Sequence, residues 1–224
     1  MALLLNIETA TKNCSVSLSE NEKIIALKEL NDGGYSHAEK LHVFIDEVLK
    51  ETQKSVQDLD AIAVSKGPGS FTGLRIGVSA AKGLSYTLEI PLLSVSTLAS
   101  LAHAITVEKD AVIVPMLDAR RMEVYSAVFD YTYKEVRKIK AEVIDKNSFL
   151  EFLEKGKVYF LGDGAEKCKI MIQHKNAIFL EGYFPSAKQM PALAYPKYKI
   201  SNIENVAYFE PFYLKDFLIT PSKK

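Results

Sequence analysis

Five apolar side chains, Leu41, Phe44, Ile45, Val48 and Leu49, recur at i, i+3, i+4, i+7 and i+8, the spacing that gathers residues on one side of an α-helix. Ser36, with Glu39 three residues on, is placed to cap the start of that helix as a reciprocal pair. Ahead of it the period changes. Leu3 to Glu8, Cys14 to Ser19 and Lys23 to Leu30 are strand-like runs broken by polar turns, which predicts an antiparallel meander. Beyond it the pattern predicts a buried strand at Ala61 to Val64, a helix from Thr72 to Thr87, a strand at Leu92 to Val95, and a helix capped by Ser96 and ending near Ala104.

The same order then returns. Strands are predicted at Val112 to Leu117, Met122 to Phe129 and Val136 to Val143, then a helix near Asn147 to Glu154 and a strand at Val158 to Leu161. A helix near Ala165 to His174 and a strand at Ala177 to Leu180 complete it. Each half reads βββαβαβ. Strands joined through helices must run parallel, so each half predicts a mixed sheet covered by helices. The fold class is α/β, two duplicated lobes over residues 1–105 and 106–224 with a cleft between them. After Pro185 the pattern weakens. Ser186 to Gln189 resembles a capping box, but Pro191 follows too deep for a comfortable first turn. A helix at Ile203 to Phe209, an extended run from Glu210 to Lys215 and a frayed tail follow, with the tail's return to the first lobe left open.

Composition narrows the classes. The chain has 224 residues, with 28 basic side chains against 28 acidic ones. A protein that grips a polynucleotide by itself usually carries a basic excess, so a principal RNA-binding role is disfavoured. The apolar start, Met1 to Ile7, lacks a basic leader and reads as a first strand. No apolar run approaches the roughly 18 residues of a membrane span. Cys14 and Cys168 share no metal or redox spacing, and a reducing cytoplasm is the expected compartment.

The segment Lys66-Gly67-Pro68-Gly69-Ser70-Phe71-Thr72-Gly73-Leu74-Arg75-Ile76-Gly77 joins a buried strand to a helix, where amides and the helix dipole can hold an anion. It is neither a P-loop nor a dinucleotide fingerprint, and a tight turn with close packing is the competing reading. Gly73, Gly77, Ala80, Ala81 and Gly83 leave one side of the helix bare. Glycine inside a helix costs about 1 kcal/mol relative to alanine, and close approach of another backbone is the usual compensation. The partner is either the chain's own sheet or a second chain. His37 and His42 lie five apart, about 140° around a helix, so they do not form an i, i+4 metal pair. No metal site is expected. Ser70 is not set in a nucleophile elbow. Lys134, Arg137, Lys138 and Lys140 read as a basic strand edge that discourages aggregation.

Five segments occur in a telling order: Ile7-Glu8-Thr9-Ala10-Thr11, Ser36-His37-Ala38-Glu39, Gly67 to Gly77, Asp118-Ala119-Arg120-Arg121-Met122-Glu123-Val124-Tyr125, and Gly162-Asp163-Gly164-Ala165. Together they resemble the TsaB (YeaZ) family, the dimerisation subunit of the bacterial threonylcarbamoyladenosine synthesis complex. The resemblance implies an actin-like, sugar-kinase-like fold and a non-catalytic scaffolding and activating role. It also implies a catalytic paralogue, TsaD, as partner, the ATPase TsaE in the assembly, and a homodimer when the paralogue is absent. tRNA would be met only through the complex, and no membrane is involved. The chain alone would bind no cofactor, with nucleotide held at a composite site shared with partners.

On that resemblance the expected partner interface comprises Ser36, His37, Leu41, Phe44, Ile45 and Val48 of one helix, and Gly73, Gly77, Ala80 and Ala81 of the next. Anion or nucleotide contact is assigned to Glu8, Thr9, Gly67, Gly69, Ser70, Thr72 and Arg75, and a cleft-facing contact to Asp118, Arg120, Arg121 and Glu123. Glu8 stands where the fold's ATPases carry an aspartate. A buried polar residue bonded to the following turn is therefore the competing reading there, as a solvated hairpin is for Asp118 to Glu123. Two other classes stay open: a small-molecule kinase of the same fold, for which no complete phosphate motif is present, and a glycoprotease-like metallopeptidase, which the histidine spacing disfavours.

Overall fold

A computed structural model of the chain describes residues 1–34 and 36–215. The first half forms strands β1 (Leu3–Glu8), β2 (Cys14–Glu20) and β3 (Lys23–Leu30), helix α1 (His37–Glu51), strand β4 (Ala61–Gly67), helix α2 (Phe71–Leu88), strand β5 (Leu92–Ser96) and helix α3 (Thr97–Ala102). The second half repeats this with β6 (Val112–Asp118), β7 (Glu123–Asp130), β8 (Glu135–Val143), α4 (Leu150–Leu153), β9 (Val158–Leu161) and β10 (Ala177–Leu180), closed by α5 (Pro191–Lys199). The sheet orders are β3-β2-β1-β4-β5 and β10-β9-β6-β7-β8. In each, the half's first strand pairs antiparallel with its second and parallel with its fourth. The duplicated two-lobed α/β fold is thus present in the strand order itself.

Alternation along β1 explains how one strand serves two cores. Leu3, Leu5 and Ile7 face α1 and α2, where Leu41, Ile45, Val48, Val78 and Ala81 complete a buried cluster. Ala2 and Leu4 face the opposite side and meet Ala187, Met190 and Ala194. That second face is therefore covered by α5, the last helix of the chain. Reciprocally, Leu98 and Leu101 of α3 pack on Ile113, Leu117, Ala127, Phe129 and Leu161 of the second sheet. Each half lends its last helix to the other's sheet, and the two lobes share their cores.

The return of the chain to the first lobe is stitched by polar atoms. Ser17 Oγ donates to the Ala187 carbonyl at 2.8 Å, the Ala187 amide donates to Ser15 Oγ at 3.1 Å, and Asn13 Nδ2 donates to the Pro185 carbonyl at 3.0 Å. Farther on, the Glu204 amide donates to Leu92 O at 2.8 Å and the Phe212 amide to Lys66 O at 2.7 Å. Residues 185–215, counted with the second lobe on sequence pattern, thus lie largely along the first sheet. The tail 216–224 lies outside the described residues.

Several local expectations are corrected. Ser36 precedes α1, but its φ of −99° and ψ of 12° do not swing the hydroxyl over the first amides, and no side-chain cap forms. Residues 203–209 form turns instead of a helix, because Asn205 Oδ1 accepts the Ala207 amide at 3.0 Å and a local turn wins. The Ala165–His174 run holds only a short 3-10 turn at Glu166–Cys168. Its inward anchors, Ala165, Cys168 and Ile172, are too few to fix a longer helix. Pro191 occupies the first position of α5, where its missing N–H costs nothing, and Ser186 bonds to Glu29 and the sheet instead of capping. β8 is an edge strand of its sheet, yet Arg137 and Lys140 are not free edge charges, since both pair with Glu142.

Candidate functional site

β1 and β4 are adjacent parallel strands, and the space beyond their C-terminal ends is where open α/β sheets usually hold ligands. Here the chain fills that space with its own backbone. The Ser70 amide donates to Ala10 O at 2.6 Å. A β-carbon on Gly69 would lie 2.4 Å from Ala10 O, and one on Gly73 would lie 2.1 Å from Thr9 O. Thr9 Oγ1 donates to Gly73 O at 2.8 Å. His37, at the start of α1, donates from Nε2 to Thr11 O at 2.7 Å, and burial holds its imidazole below the usual histidine range. The turn after β1, the glycine-rich loop, and the first turns of α1 and α2 form one knot.

This arrangement decides between the readings of the glycine motif. Gly69 and Gly73 admit the β1–β2 turn, and the Ser70 amide that would face an anion is already bonded. Ser70 Oγ accepts the Gly73 amide at 3.3 Å as the cap of α2. Gly67, at φ +107°, lies under the Phe212 carbonyl. Gly67, Gly69, Ser70 and Thr9, assigned above to anion contact, lie in close internal packing. Of that group only Thr72 and Arg75 are exposed.

Glu8 is wholly buried. Its Oε1 accepts the Ala10 amide at 2.6 Å, and the Ser65 hydroxyl and Thr9 amide also lie against the carboxyl. Burial pushes the carboxyl up to about 7 against the opposing pull of the Ala10 amide. Nearby, burial with the Glu8 charge raises the Cys14 thiol to about 11. The geometry matches a buried polar residue bonded to the turn that follows it.

The expected partner face is also redrawn. His37, Leu41, Ile45 and Val48 are buried inward, as are Gly73, Gly77 and Ala81. Ser36, Phe44 and Ala80 are half-buried. The outward sides of the two helices carry other residues: Val43, 45 % exposed, on α1, and Ser79, Gly83 and Tyr86 on α2, the last 79 % exposed.

Asp118, Arg120, Arg121 and Glu123 form the β6–β7 turn. Arg120 and Arg121 both take left-handed backbone, φ 70° and 49°. Asp118 Oδ1 accepts the Arg120 amide at 2.8 Å, and Asp163 Oδ1 accepts the Asp118 amide at 3.0 Å. Lys167 Nζ spans the turn from beneath, reaching Asp118 Oδ1 at 2.5 Å, Arg121 O at 2.7 Å and Glu123 O at 2.6 Å. Lys215 pairs with Glu123. Two residues before it, Tyr213 stacks obliquely on Phe71 with ring centroids 4.9 Å apart. Arg75 lies 3.9 Å over the Phe71 ring and donates from Nε to Tyr213 Oη at 3.2 Å. Sequence reading missed Lys167, Tyr213 and Lys215. No local signal marks them, because Arg75 and Tyr213 are 138 positions apart.

Comparison with known proteins adds to this geometry. Residues 32–218 match a family model described as TsaD, tRNA N6-adenosine threonylcarbamoyltransferase. The chain is 33% identical over 192 residues to the tRNA threonylcarbamoyladenosine biosynthesis protein TsaB of Bacillus subtilis, covering 83% of this chain and 81% of that one. It is 28% identical over 223 residues to the TsaB of Escherichia coli, covering 95% and 94%. Among solved structures, YeaZ from Pseudomonas aeruginosa superimposes with a TM-score of 0.82 at 26% identity, over 96% of this chain and all of that one.

Proposed function

This chain belongs to the TsaB (YeaZ) family of tRNA threonylcarbamoyladenosine biosynthesis proteins, and we propose that within that pathway it is a non-catalytic subunit that binds and activates a TsaD-like catalytic paralogue. One observation carries this reading. The space beyond the C-terminal ends of β1 and β4, where an actin-like enzyme would take a phosphate, is filled by the Ala10–Ser70 contact and the glycines around it. A protein that has closed this space contributes surface instead of chemistry. The paralogue, with a TsaE-like ATPase joining the assembly, supplies the reaction.

The surface offered is the outward side of α1 and α2, centred on Val43, Ser79, Ala80, Gly83 and Tyr86. A β-carbon on Gly83 would meet nothing within 4 Å, so a partner backbone can approach there. Without the paralogue the same face would pair two copies of the chain. Nucleotide enters only at a site shared with partners, to which the exposed Thr72 and Arg75 can contribute. Among the described residues no helix is long and apolar enough to cross a membrane. The reading places the protein in the cytoplasm, with tRNA.

The test is reconstitution. Modified nucleoside should form when the chain is mixed with the paralogue, the ATPase and the activated precursor, and should fail when this chain alone is omitted. Product formed with this chain as the sole protein would overturn the non-catalytic reading.

A further inference from the structure

We propose that the β6–β7 turn is a phosphate-recognition site, with Arg120 and Arg121 holding the ribose-phosphate backbone of tRNA. The inference rests on the tRNA pathway given above for the substrate, and on the turn's own chemistry for the site. Every acid of the turn is already committed: Asp118 to Lys167 and Glu123 to Lys215. No carboxylate among the described residues forms an ion pair with Arg120 or Arg121, and both side chains are exposed. Two guanidiniums with no counter-ion among the described residues, at successive positions of one turn, form a local cationic point in a chain whose 28 basic and 28 acidic side chains balance overall.

The turn is also held in place. Left-handed backbone at two successive arginines is an unfavourable choice for residues with a β-carbon. It is maintained by three oxygens gathered on Lys167 Nζ and by the Asp163–Asp118 contact. Fixing the backbone lowers the ordering cost of an arginine–phosphate contact, whose planar fork matches two phosphate oxygens. The arginines stand on an exposed turn. That suits a ligand presenting phosphates in series better than an enclosed mononucleotide. The clasp from Lys215 to Glu123 continues to Tyr213, which sits with Phe71 and Arg75. Aromatic rings and guanidinium planes are the surfaces on which proteins stack unpaired RNA bases, and the stretch from Tyr213 to Lys215 ties this cluster to the turn. Two contacts are few, which agrees with a chain that meets tRNA alongside a partner.

The experiment compares wild type, the double variant Arg120→Gln/Arg121→Gln, and Lys138→Gln, which removes an exposed charge from the β8 edge. Binding of tRNA and, separately, of ATP is followed by fluorescence anisotropy across a salt series. Each is measured for the chain alone and for the chain with its paralogue. The expected result is a loss of about tenfold in tRNA affinity for the double variant, with the slope of log affinity against log salt lowered by about 1.4, about 0.7 per lost contact. Lys138→Gln, ATP binding and thermal unfolding should match wild type. The proposal is overturned if tRNA affinity and slope are unchanged in both arms, or if wild type binds no tRNA in either. It is also overturned if ATP binding falls and tRNA binding does not. Loss of the paralogue with tRNA affinity unaltered in the chain alone would mark the turn as a protein contact and overturns it too. A wild-type chain that never joins the paralogue would defeat the scaffold reading, while the chain-alone arm would still decide this one.

Discussion

The hydroxyl oxygen of Thr9 lies 2.2 Å from where a β-carbon on Gly77 would sit, and Thr9 is itself wholly buried. That hydroxyl cannot swing away freely, because it donates to the carbonyl of Gly73 one turn earlier in α2. At Gly73 and Gly77 the bare side of the helix is therefore spent on the chain's own first turn, and the offset for glycine's poor helix propensity is internal there.

Gly77→Ala should destabilise the chain by about 2 kcal/mol, since overpacking a tight contact costs about 1–3 kcal/mol. Gly83→Ala should stabilise it by up to about 1 kcal/mol, because that position is open and alanine is the better helix former. Urea midpoints of the two variants should thus move in opposite directions. Equal shifts would refute the placement of α2 on Thr9.

Glu8 gives stability a defined pH dependence. Burial raises its carboxyl from the ordinary 4.5 to about 7, so the folded chain keeps a proton that the unfolded chain has released. Its contribution is complete below pH 4.5 and is lost as pH rises through about 7, a span worth about 3 kcal/mol at roughly 1.4 kcal/mol per pH unit. His37, whose value is lowered, acts in the opposite direction near its ordinary range. The difference between wild type and Glu8→Gln isolates the carboxyl. The advantage of Glu8→Gln should grow from pH 5 to pH 8, and parallel stability curves would exclude the effect.

In the second lobe, Arg137 and Glu142 pair at 2.5 Å with side chains only 17% and 14% exposed, and Arg137 lies 4.4 Å over the Phe149 ring. Glu142→Ala leaves that guanidinium without its carboxylate, and a cost of about 3 kcal/mol follows. Denaturation by urea should show it. Glu135→Ala, exposed on the same strand, should leave the midpoint within about 0.5 kcal/mol of wild type.

Tyr86→Asp tests the redrawn partner face. Tyr86 is largely exposed, so thermal unfolding should barely change. Association with the paralogue should weaken at least tenfold, about 1.4 kcal/mol. Sedimentation of the mixture showing an undiminished complex would move the interface elsewhere.

The amino-acid pattern by itself determined the order of the strands and of helices α1 to α4, though not α5, because a strand or helix is set by apolar spacing over a few residues. Leu41, Ile45 and Val48 announce α1, and the three runs before them announce the meander, without knowledge of what each will touch. It also carried the motif order that identifies the family. Local pattern failed where turns compete with helices, at residues 165–174, where only Ala165, Cys168 and Ile172 anchor inward, and at 203–209, where the Asn205 side chain bonds a local turn. What lay beyond it was direction. Periodicity says that a face is apolar or bare but not whether the chain or a partner covers it, and Thr9, 68 positions from Gly77, supplies that answer only in three dimensions. The exchange of α3 and α5 between the sheets, and the convergence of Lys167 and Lys215 on the β6–β7 turn, depend likewise on contacts between distant segments. Such contacts form because burial and hydrogen bonding are satisfied by the whole fold at once, and no stretch of sequence encodes them alone.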